Sequence, residues 1–182
     1  MSKKYDFPVE QIRRYLEPGP IVLLSSLHHG KRNIMTLGWH TIMEFSPSLI
    51  GCMISAGNHS FSMIRESGEC VINLPTVELA DTVAGIGNCC GKETDKFAGF
   101  SLTPVKSRKV AAPAIDECYA HFECRLHDDV LVESYNFFIF EVVSARVQHE
   151  PEWPETLHYT GDGLFRTDGG FIDRRRLFTK VS

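Results

Sequence analysis

The chain has 182 residues, 43% of them hydrophobic and 23% charged, with a formal net charge of -4. That length fits one domain with a real core, and the composition is that of an ordinary globular protein. The acidic balance and the lack of a basic stripe argue against non-specific nucleic-acid binding. No apolar run reaches the ~20 residues of a membrane helix. The start, Met-Ser-Lys-Lys-Tyr-Asp, lacks the apolar centre of a signal peptide. We therefore expect a single domain over residues 1–182, cytoplasmic, with no membrane or nucleic-acid partner. The six cysteines form no Cys-x-x-Cys and no paired zinc spacing, and the eight histidines fall at no metal-like spacing. No metal site is expected, and in a reducing compartment most of the cysteines serve as small buried apolar residues.

From the N-terminus, Pro8 to Leu16 reads as a short helix with Val9, Ile12 and Leu16 in a stripe, broken by Pro18-Gly19-Pro20. Ile21 to Leu27 is an apolar strand that turns at His28 to Lys31. The next stretch, Asn33-Ile-Met-Thr-Leu-Gly-Trp-His-Thr41, combines amides, hydroxyls, a thioether and an indole. Read as one strand, it places Asn33, Met35, Leu37, Trp39 and Thr41 on one face and Ile34, Thr36, Gly38 and His40 on the other. Neither face is cleanly apolar, and Gly38 signals a bulge or a close approach. Such a mixture suits a large aromatic ligand with a polar rim; an edge strand with one wet face is the plainer alternative. Pro47 to Ser55 is a third strand, and short polar turns between the three point to an antiparallel sheet.

Ser55-Ala-Gly-Asn-His-Ser60 then leads into Phe61 to Gly68, a helix with Asn58 or Ser60 as its N-cap and Gly68 as its stop. A loop of small polar residues opening a helix is a natural anion seat, though an ordinary capped helix has the same pattern. Glu69 to Pro75 is a strand, and Thr76 to Gly87 a helix with Leu79, Val83 and Ile86 inward. A loop with one helical turn runs from Cys89 to Phe100. Its adjacent Cys89-Cys90 pair, beside Gly91, is read as loop thiols near the site, with a redox or cluster-binding role as the alternative. Ala120 to Val132 and Phe137 to His149 are two long strands. The tail carries glycine turns around Leu164-Phe165, either a flap or a simple hairpin, and ends past Arg174-Arg175-Arg176, a solvated segment.

Asn33-Ile-Met-Thr36-x-x-Trp39-x-Thr41, preceded by Pro18-Gly19-Pro20-Ile-Val-Leu, resembles the opening of the flavin reductase-like, FMN-binding split-barrel family, nearest its flavoredoxin and ferric reductase branch. The resemblance resumes at Asn58 to Pro75, Asp95-Lys96-Phe97, Glu141-Val142 and Tyr159 to Phe165, so it covers nearly the whole chain. It implies a mainly β fold, a Greek-key split barrel with a few short peripheral helices, binding FMN. By the same resemblance, Asn33, Ile34, Met35, Thr36 and Trp39 shape the ring environment. Ser55, Ala56, Asn58, His59 and Ser60 form the phosphate end, and Phe165 covers a flavin face. Lys96 is placed near the pyrimidine end, where a cation stabilises the anionic reduced flavin. Tyr135 stands where the family often carries the His of Gly-Asp-His. With an unperturbed pKa near ~10, a phenol is a poor proton shuttle at neutral pH. The resemblance also implies a homodimer that transfers electrons to a small acceptor or a redox partner.

No Gly-x-Gly-x-x-Gly follows a strand and no Walker loop is present, so a nicotinamide nucleotide would dock only transiently. No Ser-His-Asp or Gly-x-Ser-x-Gly arrangement supports hydrolysis. The expectation is therefore an FMN flavoprotein with no catalytic side chain, the flavin carrying the chemistry. The alternatives are an NAD(P)H-dependent flavin reductase holding FMN loosely, and a non-catalytic module binding haem or another flat ligand.

Overall fold

A computed structural model describes residues 3–12, 16 and 19–177. Its main sheet is antiparallel and eight-stranded. The strands are β1 (Lys4–Asp6), β2 (Val22–His28), β3 (Lys31–Leu37), β4 (His40–Glu44), β5 (Leu49–Met53), β6 (Glu69–Leu74), β9 (Ala120–Asp128) and β10 (Phe137–Gln148). Two small hairpins pair β7 (Pro104–Val105) with β8 (Ala114–Ile115), and β11 (Leu157–Gly161) with β12 (Leu164–Thr167). Among the described residues, the short helices outside the sheet include α1 (His59–Ser67), α2 (Ala80–Gly87), α3 (Lys96–Gly99) and α4 (Val132–Tyr135). No helix of the described residues is long and apolar enough to cross a membrane.

The strand order β3-β2-β6-β9-β10-β5-β4 explains the barrel and its split. β10 is the spine. It pairs with β9 along one edge, and with β5 and β1 at successive positions along the other. A register shift between Val142 and Ser144 moves the buried set from Phe138, Phe140 and Val142 to Ala145 and Val147. Such a bulge bends the strand and tightens its twist, as closure of a sheet requires. The two ends of the path, β3 and β4, are consecutive in the chain. Only Gly38 and Trp39 join them, so the sheet closes covalently but without a hydrogen-bonded ladder there.

The predicted single strand over 33–41 is thus corrected to two strands meeting at a corner. Gly38 sits at that corner, where a Cβ would stand 2.9 Å from Ile21 Cδ1 and would have to displace that side-chain end. Beyond the corner the pairing with β5 begins at once, Met53 N–H donating to the Trp39 carbonyl at 2.9 Å. The predicted strand over 120–132 also ends earlier, at Asp128, and Val132 to Tyr135 forms a helical turn instead. Residues 13–15, 17 and 18, part of the expected Pro8–Leu16 helix and its Pro18 break, lie outside the described residues; Val9–Gln11 is a 3-10 turn.

β2 and β6 are buried along most of their length because they are covered on both faces, their polar Ser25 and Asn73 hydrogen-bonded to each other at 3.0 Å. The barrel interior holds Leu24, Met35, Leu37, Ile72, Phe122, Phe138 and Phe140. A second cluster of Ile21, Leu23, Ile34, Val83, Ile86 and Phe97 fills the space beneath α2 and α3. Burying each such large side chain contributes about 1.5–3 kcal/mol. α1 ends at Gly68, whose φ of 67° suits a glycine stop, its N–H donating to the Ile64 carbonyl.

One buried titratable group makes this core acid-sensitive. His121 on β9 bonds through Nε2 to the Ile115 carbonyl at 2.6 Å. Burial, chiefly, with the nearby charge of Lys4, lowers its pKa from 6.5 to about 3. Between those values the unfolded chain binds a proton that the folded chain does not. Stability should therefore fall as pH drops from about 6.5 towards about 3, with a slope of at most about 1.4 kcal/mol per pH unit from this ring. Urea unfolding across that range should show this component in the wild type and lose it in His121→Gln. An identical pH dependence in both would contradict the assignment.

Candidate cofactor site

The seam opens onto a cavity of about 540 Å³, inside the usual range of roughly 300–1,000 Å³ for ligand pockets. One wall is the corner itself: Met35, Thr36, Leu37, Gly38 and Trp39. Gly19 and Ile21 lie beside it, with Met53, Ser55 and Asn58 from the end of β5 and the loop into α1. Val83, Ala84, Gly87 and Asn88 bring the α2 side, and Tyr159, Gly163 and Phe165 the β11–β12 hairpin. β3 has β2 as its one strand partner among the described residues, so its other edge is left to face this space.

The local sequence explains each wall. Thr36 Oγ1 donates to the Val83 carbonyl at 2.7 Å and ties β3 to α2. The β11–β12 turn places Asp162 at φ 51° and Gly163 at φ 76°, the left-handed pair of a tight hairpin. Tyr159 and Phe165 are cross-strand partners with ring centroids 5.2 Å apart. At the hairpin's foot, Asp168 accepts from Thr156 N–H at 3.1 Å and Thr156 Oγ1 at 2.9 Å, with His158 Nε2 at 2.9 Å. The glycine-turn excursion is therefore a hairpin, and it also puts Phe165 on the cavity wall. Trp39 is 70% exposed and stands at the rim.

The end of the cavity at Ser55 and Asn58 is electropositive. Asn58 occupies the N-cap position of α1 with no side-chain cap bond; Phe61 N–H donates to the Asn58 carbonyl at 3.0 Å, which leaves the His59 and Ser60 amides of the first turn for a ligand. Burial lowers the pKa of His59, and the ammonium groups of Lys92, Lys31 and Lys96 lower it further. Among the described residues, His59 Nδ1 is shielded from solvent with no hydrogen-bond partner. A ring nitrogen that can donate, beside free amides, is what an anionic ligand would complete.

Of the residues singled out from the sequence, Met35, Thr36, Trp39, Ser55, Asn58 and Phe165 line the cavity. The others are not part of its lining. Asn33 is buried, donating from Nδ2 to Ser60 Oγ at 2.9 Å; Ser60 is itself buried within α1, past the N-cap position considered for it. Ile34 faces the cluster under α2. Ala56 is exposed in the loop before α1. Lys96 is 5% exposed, and its Nζ donates to the Ile86 carbonyl at 2.9 Å, because α3 packs its first turn against the end of α2. Burial lowers its pKa. Tyr135 is 68% exposed at the end of α4, away from the lining. The α2 residues and Tyr159 line the cavity without standing among the residues that the sequence singles out; the signals for them are the small Ala84 and Gly87 three residues apart, and a tyrosine opening the glycine hairpin.

A mainly β split barrel with a crevice at its seam and a helix N-terminus at one end is the architecture of a flavin-binding domain class. The chain belongs to the flavin reductase like domain family, which it matches over residues 13–167. A protein of Archaeoglobus fulgidus is 38% identical over 113 residues, 62% of this chain; the match spans slightly less than two thirds of that relative, 64% of its length. Among solved structures, an FMN-binding domain of a flavin reductases-like enzyme from Shewanella baltica superposes with a TM-score of 0.88 at 22% identity, covering 94% of this chain and 97% of that one. Flavoredoxin of Desulfovibrio vulgaris follows at 0.79 and 22%, covering 89% and 92%. These likenesses establish the fold.

The 88–95 loop closes against Asn33 through a glycine. A Cβ on Gly91 would stand 2.0 Å from Asn33 Oδ1, and Asn33, fixed to Ser60 and only 2% exposed, has nowhere to move. Gly91→Ala should cost about 1–3 kcal/mol in thermal unfolding and raise hydrogen exchange in residues 88–95. Wild-type stability and exchange in this variant would contradict the packing described.

Proposed function

We propose that this cavity binds FMN and that the protein is an FMN-dependent oxidoreductase of flavoredoxin type, passing electrons to a small acceptor or a redox partner. The observation that carries this is the junction of a flat apolar crevice with an uncapped helix N-terminus. Met35, Trp39, Tyr159 and Phe165 offer soft and aromatic surface to a ring system, and the free edge of β3 offers backbone donors and acceptors to its polar rim. Amides at the start of α1, with Asn58 and His59, suit the phosphate, and Lys31, Lys92 and Lys96 add positive charge. Bound FMN supplies the hydride and electron chemistry; the chain binds, orients and screens it from water. The solved neighbours, an FMN-binding domain and a flavoredoxin, support the same reading.

In this reading the chain works as a cytoplasmic homodimer. Its free cysteines, four of them buried, suit a reducing compartment. Trp39 at the cavity rim, and Met43 and Phe45 along and just past β4, have exposed side chains, surface that a second subunit would cover. A nicotinamide nucleotide would meet the flavin only in passing, over that rim.

The purified protein should be yellow and should retain FMN, with little NADH or NADPH oxidised in anaerobic titration. Asn58→Ala with His59→Ala should weaken FMN by about 1–3 kcal/mol per lost charge-assisted bond while leaving riboflavin nearly unchanged. Equal weakening of both ligands would remove the phosphate seat, and a colourless protein indifferent to added FMN would overturn the function.

A further inference from the structure

We propose that His28, His29 and Glu66 form a binding site for a divalent transition-metal ion of the zinc class, bracketing the β2–β3 hairpin to the end of α1. Their spacing in the sequence gives no hint of it; the fold brings the three together. Each offers one ligand atom, and these atoms lie within 4.8 Å of one another. His28 Nε2 is 2.8 Å from Glu66 Oε2.

Two features set the cluster apart from a simple ion pair. The chain reverses through a two-residue turn in which His29 (φ 48°) and Gly30 (φ 74°) are both left-handed, the form that joins the paired residues His28 and Lys31. That turn brings the His29 ring to 3.9 Å from that of His28, so two imidazoles are presented together. The second feature is Glu66, a carboxylate in the last turn of α1, where the helix dipole disfavours negative charge. A cation between the rings and the carboxylate uses both imidazoles and neutralises Glu66.

Two imidazoles and one carboxylate form a borderline donor set. It suits Zn²⁺, Ni²⁺, Co²⁺ or Cu²⁺ and leaves a coordination position to water. Bond lengths of about 2.0–2.1 Å place tetrahedral ligand atoms roughly 3.3 Å apart. Rotation of the exposed His29 and Glu66 side chains closes the remaining distance. The bound ion would tie β2 to α1, the helix whose other end faces the cavity. The proposal does not depend on the identity of the cofactor.

The test is titration of chelator-treated full-length protein with Zn²⁺, and with Co²⁺ as a spectroscopic probe. One equivalent should bind, Co²⁺ should give visible ligand-field absorption, and Zn²⁺ should raise the melting temperature. His28→Ala and Glu66→Gln should each weaken binding at least about 100-fold, since even outer-shell partners account for 10–100-fold. His127→Ala, on β9, should change nothing. Circular dichroism of each variant verifies that it is folded. Absence of binding to the wild type, or unchanged stoichiometry and affinity in His28→Ala/His29→Ala, would overturn the site.

Discussion

The two terminal strands of this barrel are consecutive in the chain, yet they do not pair with each other where one becomes the other. β3 runs to Leu37, β4 starts at His40, and the two residues between turn the chain from one end of the sheet path to the other. This leaves a strand edge without a ladder at the place where the barrel would otherwise be sealed. Buried backbone groups without partners cost about 1–3 kcal/mol each, so such an edge must meet water or a ligand. The walls around it are apolar and aromatic, supplied by α2 and the β11–β12 hairpin. A flat molecule with a hydrogen-bonding rim answers that arrangement better than a disordered film of water.

The rest of the molecule holds this seam in register. β10 fixes β9, β5 and β1 at once, and its bulges supply the coiling that brings the sheet round. α1 lies across β2 and β3 and carries charge complementarity along its length. Its N-terminus, beside Ser55 and Asn58, faces the cavity, with three lysines close enough to act on His59. Its last turn, roughly 12 Å away at about 1.5 Å per residue, meets the two histidines of the hairpin tip. Strand and helix are thus joined near both ends, through Asn33 and Ser60 at one and His28 and Glu66 at the other.

Much of this was legible in the residues. Period-2 runs with short polar turns gave the antiparallel sheet, and Gly68 marked the end of α1. The mixed chemistry of 33–41 pointed to the cavity wall, and the small polar loop before Phe61 pointed to its charged end. What failed did so for tertiary reasons. Alternation cannot show that a strand turns a corner, so it places Trp39 on the face of Asn33, whereas Asn33 is buried under the 88–95 loop and Trp39 is at the rim. Lys96 follows a capping aspartate, which sets the direction of α3, and that geometry sends its ammonium to the end of α2. The meeting of His28 and His29 with Glu66 depends on a left-handed turn residue and on helix packing, neither of which has a signature in spacing.

The central claim is that the seam between β3 and β4 is a flavin site oriented by α1. A crystal structure of the protein grown with FMN tests it most directly. The account predicts ring density along Met35 to Trp39, beneath Phe165, with the phosphate on the first-turn amides of α1. Flavin bound elsewhere, or a seam that stays filled by the protein's own side chains at saturating FMN, would contradict it.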